Sequence, residues 1–174
     1  LPNSAHQGIA DLENYFKVTV ITQNIDDLHE RAGSKQVIHL HGEIFKMRSE
    51  REGGPFFDIA GDIHPGDLAP DGFQLRPHVV WFGEAVPMIE EAAKVMRTAD
   101  IFILVGTSLQ VYPAAGLMDF LPDLIPKYII DKNPPPVPAG HNFKGRKNPA
   151  TLGIQEILPL LIDDSTRIKT AIGN

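Results

Sequence analysis

An α/β layered domain, a parallel sheet covered on both faces by helices, is the fold class that this sequence predicts. Three observations predict it. A short β-branched run at Val18 to Ile21 and continuous apolar runs at Ile101 to Val105 and Tyr128 to Ile130 read as strands buried on both faces. Stretches of helical periodicity, Ile89 to Arg97 and Ala114 to Leu121, alternate with the later runs. Each run is followed by polar or small residues: Thr22 to Asp26, Gly106 to Ser108, and Asp131 to Asn133. In open α/β sheets, ligands bind just beyond the carboxyl ends of the strands, so these three segments are the places to look for chemistry.

In chain order, the first element is an amphipathic helix. Ala5, Ile9, Leu12 and Phe16 recur at helical spacing between Pro2 and Phe16, and Ser4 is the expected cap. The first strand then delivers Thr22-Gln23-Asn24-Ile25-Asp26-Asp27-Leu28-His29, where amide, carboxylate and imidazole groups crowd a single turn. His41-Gly42 follows, and glycine lets the backbone turn tightly and leaves the imidazole projecting. Imidazoles titrate near neutrality and serve well as general bases, which makes His41 a candidate for that role.

From Ser49 to Asp71 the composition shifts to Gly, Pro, Asp and isolated aromatics, which break any long element. Residues 49–71 are therefore expected to form a small inserted lobe, with 1–48 and 72–174 as the main domain. Beyond Asn133, Pro134, Pro135, Pro136 and Pro138 impose an extended, rigid connector.

With 174 residues, 43% of them apolar, the chain suits one globular core. A net charge of -6 speaks against nucleic acid, whose phosphates are held mainly by clustered Lys and Arg. No apolar run approaches the roughly 20 residues needed to span a bilayer. No basic-then-apolar leader opens the sequence, so the expectation is a soluble, cytoplasmic protein without a membrane partner. The absence of cysteine excludes disulfides and thiolate metal sites within these residues.

Four blocks then narrow the reading. TQNIDDLHERAG, HLHG, LRPHVVWFGEAVP and VGTSLQVYPAAGL occur in the order and approximate spacing of the sirtuins, the Sir2-like NAD-dependent protein deacylases. The opening PNSAHQGIADLE also resembles the helix before the first block, and the likeness fades after about Pro138. The resemblance implies a Rossmann-like, NAD-binding sheet and an acyl-lysine protein or peptide as substrate. In that family the substrate acyl oxygen displaces nicotinamide from the ribose, and a histidine removes a proton from a ribose hydroxyl.

The resemblance assigns residues as well. Gln23, Asn24 and Asp26 would hold the nicotinamide ribose and its amide, and Asn24 and Asp26 would join His41, the base, as the catalytic set. Gly106, Thr107 and Ser108 would approach the cofactor's phosphates and ribose, and Asp131 the adenosine ribose. Val80, Phe82, Gly83 and Glu84 would pair with the substrate backbone opposite a strand containing Val111. Trp81 receives no separate role.

The chain departs from the family pattern in two places. Where many sirtuins carry a Cys-x-x-Cys of a structural zinc site, this chain has Arg48-Ser49-Glu50-Arg51. No zinc is expected, and Phe56, Phe57, Ile59 and Ile63 are expected to pack the lobe instead. The family's Gly-rich first turn does not occur between Leu1 and Asn174, so these residues are expected to belong to a larger polypeptide and to have weak or no catalysis by themselves.

Other readings remain alongside. Mono-ADP-ribosyl transfer uses the same cofactor, and a degenerate module would bind NAD or peptide without turnover. His39 and His41 share a face and resemble a metal pair of a hydrolase. His6, His29, His39, His64, His78 and His141 otherwise read as ordinary packing or surface histidines.

Overall fold

The computed structural model describes residues 1–51, 53–136 and 143–172. Helix α1 (Ser4–Asp11) is capped by Asn3, whose side chain accepts from the N–H groups of Ala5 and His6 at 2.9 and 3.2 Å. The expected cap, Ser4, instead donates its hydroxyl to the Thr151 carbonyl at 3.3 Å. A 3-10 turn, Leu12–Asn14, ends this segment earlier than Phe16.

Strand β1 (Val20–Thr22) pairs in parallel with β2 (Val37–His39), Thr22 opposite His39. The crossover between them is α2 (Leu28–Ala32), stopped by Gly33 at φ 106°. Strands β3 (Gly42–Ser49), β4 (Phe56–Asp58) and β5 (Leu75–Val79) form an antiparallel sheet in the order β4-β3-β5. After α3 (Ile89–Arg97), β6 (Phe102–Val105), β7 (Lys127–Ile130) and β8 (Phe143–Arg146) pair in parallel. A 3-10 helix, Ala114–Phe120, joins β6 to β7, and α4 (Ala150–Ile172) follows β8.

The parallel strands thus form two pieces, β1-β2 and β6-β7-β8, where the sequence suggested one sheet. Both faces of the larger piece are nevertheless covered. On β6, Phe102 packs toward Ala92, Met96 and Leu117, while Ile103 and Val105 pack toward Tyr128, Ile154 and Ile157. That alternation is the period-two geometry of a strand between two helical layers. The first core joins β2 to α3 and the 3-10 helix, and the second joins β7 to α1 and α4.

The small lobe differs from its expectation. Phe56 is 58% exposed and Ile59 36%, so these two do not form a core. Phe56 stacks on the His78 ring at 5.1 Å between centroids, and polar links hold the lobe as well. Buried Ser49 donates to Asp71 at 3.0 Å, and the Gln74 amide accepts from Gly66 N–H at 2.7 Å and donates to the His64 carbonyl at 3.0 Å. Its sheet also runs from Gly42 to Val79, wider than the composition shift at residues 49–71. Pro138 and His141 lie outside the described residues. Among the described residues, no helix is long and apolar enough to cross a membrane.

Candidate active site

Parallel pairing of Thr22 with His39 brings the carboxyl ends of β1 and β2 side by side, so the residues after each strand meet. The Leu40 N–H extends the ladder to the Thr22 carbonyl at 2.9 Å. His41 then turns back, and its Nδ1 lies 3.0 Å from the Gln23 carbonyl oxygen. A carbonyl can only accept, so Nδ1 carries the proton and donates. In the neutral ring this leaves the lone pair on Nε2.

The turn of Gln23 to Asp26 is fixed at each step. Asn24 N–H donates to the Thr22 hydroxyl at 3.1 Å, and Ile44 N–H to the Ile25 carbonyl at 2.8 Å. Asp26 accepts from Leu28 N–H at 3.1 Å, at the entry to α2. By contrast, the side-chain amides of Gln23 and Asn24 make no hydrogen bond among the described residues, which leaves their donors and acceptors open. Gly42, at φ 84°, is required here, because a Cβ would collide with the His78 carbonyl on β5.

The segment after β5 is tied to the same place, since Val80 N–H donates to the His41 carbonyl at 2.9 Å. Its shape comes from Arg76, which is buried on β5. The guanidinium forks onto the Glu84 carboxylate at 2.5 and 3.2 Å, donates to the Val79 carbonyl at 3.0 Å, and stacks 3.4 Å above the Trp81 ring. Glu84 also accepts from Trp81 N–H at 2.9 Å. The Arg76 fork, aided by that N–H, holds the Glu84 carboxyl down to about 2.

Glu84 therefore points inward to Arg76, and its carboxylate holds the turn. Phe82 is fully exposed at the tip, beside Gly83 at φ 90°. Sequence reasoning missed Arg76, because a pairing of this kind between residues on opposite sides of a turn has no local pattern to betray it.

A second group forms at the ends of β6 and β7. Val105 pairs with Ile130, and Gly106 N–H donates to the Ile130 carbonyl at 3.0 Å, which sets Gly106 to Ser108 beside Asp131. Gly106 has φ 59°, and no atom lies within 4 Å of where a Cβ would stand, which leaves an open backbone surface at a strand end. Asp131 accepts from Asn133 N–H at 2.7 Å through one oxygen. Thr107 accepts from Leu109 N–H at 3.4 Å, and Leu109 itself adopts φ 54°, a strained conformation for a branched side chain. Val111 lies in the loop that opens the 3-10 helix rather than on a strand, and its carbonyl already accepts from Ala115 N–H at 2.9 Å.

No hydrogen bond among the described residues links this second group to His41. They are joined through packing: Ala114 and Leu117, just after the second group, share a core with Ile38 and Leu40, just before His41. The paired imidazoles of a metal hydrolase gain no support, because the Nδ1 atoms of His39 and His41 face the carbonyls of Asn24 and Gln23.

A family model described as the Sir2 family matches residues 1–113. An NAD-dependent protein deacylase of Bacteroides thetaiotaomicron is 46% identical over 167 residues, covering 92% of this chain and 71% of the relative. A solved Sir2 homolog in complex with NAD is 34% identical, with a TM-score of 0.78 over 93% of this chain and 65% of the other. A Sir2 structure with a p53 peptide and NAD+ is 30% identical, with a TM-score of 0.74 over 91% of this chain and 69% of the other. Sequence match, shared architecture and the His41 turn coincide over the same residues, and the chain belongs to the Sir2 family.

Proposed function

We propose that this protein is an NAD-dependent protein-lysine deacylase, transferring an acyl group from lysine to the ADP-ribose of NAD with release of nicotinamide. The observation that carries the reading is the 3.0 Å bond from His41 Nδ1 to the Gln23 carbonyl. It fixes the ring and leaves Nε2 to take a proton, the atom a general base needs free. The relative named as an NAD-dependent protein deacylase and the Sir2 structures with NAD and with peptide support it.

The residues fit NAD. Gln23 and Asn24 offer unpaired amides, each donor and acceptor, for sugar hydroxyls and a carboxamide. Gly106 presents open backbone suited to a phosphate, and Asp131 keeps a carboxylate oxygen suited to a ribose hydroxyl. NAD supplies the ribose that receives the acyl group and the nicotinamide that leaves. The exposed turn of Phe82 and Gly83, with Val111, would flank an acyl-lysine peptide through backbone contacts.

Incubation of the full-length protein with an acetyl-lysine peptide and NAD should give deacylated peptide. His41→Ala should lower that rate by about 10²- to 10⁴-fold. Full activity in the variant would remove His41 from the mechanism. Mass analysis of the protein acceptor distinguishes deacylation from ADP-ribosyl transfer, which would add ADP-ribose to it.

A further inference from the structure

We infer that His39 and Glu30 form a positioning pair for this site, with His39 orienting Asn24 through its backbone carbonyl and Glu30 anchoring the His39 ring. The inference rests on the deacylase reading above and adds residues that the family blocks do not single out.

His39 is buried at the end of β2, with 7% of its surface exposed. Its Nδ1 lies 3.1 Å from the Asn24 carbonyl and its Nε2 2.7 Å from the Glu30 carboxylate. Both partners are acceptors, so a ring donating through both nitrogens satisfies both, and a ring with a single N–H leaves one acceptor facing a lone pair. A histidine that merely fills a core requires neither arrangement. Glu30 comes from α2, the helix that leaves the Gln23 to Asp26 turn, so the pair ties that helix back to the turn.

The placement of the two carbonyls matters most. The Gln23 carbonyl belongs to the peptide plane before Asn24, and the Asn24 carbonyl to the plane after it. His41 grips the first and His39 the second. With both planes fixed, the φ and ψ of Asn24 are fixed, and so is the direction of its side chain. That side chain is exposed and makes no hydrogen bond of its own among the described residues, so its aim depends on the backbone beneath it. Catalytic and binding groups must be held to within a fraction of an ångström, and supporting hydrogen bonds are what hold them.

Two substitutions separate the bonds, because the amide nitrogen of Asn falls near Nδ1 of a histidine and that of Gln near Nε2. In the full-length protein, His39→Asn keeps a donor toward Asn24 but gives up the Glu30 anchor, so it should lower kcat/KM for NAD by about tenfold, the same loss as Glu30→Ala. His39→Gln keeps only the donor toward Glu30, loses the bond to Asn24 itself and should lower it by about 100-fold, at a melting temperature matching that of His39→Asn. Glu30→Ala, at a position with 40% side-chain exposure, should lower kcat/KM for NAD by about tenfold without a change in melting temperature.

Equal losses in the two His39 variants, losses that follow the melting temperatures, or an unaffected Glu30→Ala would each overturn the inference. Wild-type protein without NAD-dependent deacylation would instead overturn the deacylase reading itself, and this inference with it. An active wild type with indistinguishable variants defeats the positioning pair alone.

Discussion

Arg76 serves the turn of Trp81 to Glu84 in three ways with one group: a fork for a carboxylate, a cap for a carbonyl, and a cation over an indole. Lysine carries the same charge but has no planar fork, so Arg76→Lys should loosen the turn. We expect it to raise the peptide KM about 10-fold while leaving NAD binding intact, as measured by steady-state kinetics and calorimetry. The partner carboxylate makes a second prediction. Glu84 titrates at 4.5 in the unfolded chain and about 2 when folded, so its stabilising share is complete above pH 4.5 and disappears as pH falls toward 2. Glu84→Gln should flatten that limb of a melting-temperature profile, and an unchanged limb would contradict the assignment. His29 acts in the other range. Burial first, then the charge of His6, holds its pKa below 6.5, and its Nδ1 is buried without a partner. The fold prefers this ring neutral, so stability should decline as pH falls below 6.5, and His29→Asn should reduce the decline.

At the scale of elements, glycines set how closely the helices approach. Gly153 on α4 lies against Ile130 of β7 so tightly that a Cβ would collide with the isoleucine side chain, and a Cβ on Gly8 of α1 would lie 2.6 Å from Ile154. Gly153→Ala should therefore cost about 3 kcal/mol, the upper end of what overpacking typically costs. Its gain in helix propensity, about 1 kcal/mol, offsets only part of that. A lower urea midpoint at unchanged slope is the expected result. The same elements explain what sequence reasoning can reach. Helix α3 is legible to the residue, because Ala92, Ala93 and Met96 are buried on one side while Glu90, Glu91 and Lys94 occupy the other. Strand β3 is not legible, since Ile44 and Phe45 are adjacent and both exposed, which erases the alternation. Helix α4 has Pro159 inside it, which breaks the pattern a reader looks for. In the site, the Gln23 to Asp26 turn and His41 stand out because each follows a short strand as a dense polar group. The links from His39 to Glu30 and from Arg76 to Glu84 emerge only once the strands and turns are folded.

At the scale of the whole molecule, a ligand that binds only the folded state should raise its stability by mass action. NAD at 100 times its dissociation constant should add about 2.7 kcal/mol. For a chain of this size, each kcal/mol corresponds to about 2–4 °C in melting temperature. A thermal-shift titration of the full-length protein that stays flat with NAD would contradict binding at the strand ends. The two ligands should also sense each other. His41 holds the Gln23 to Asp26 turn through its ring and the Val80 segment through its carbonyl, so one residue is shared by the two segments. Whatever factor an acylated peptide contributes to the affinity for the dinucleotide must return unchanged in the opposite direction, because coupling free energy has no preferred order of arrival.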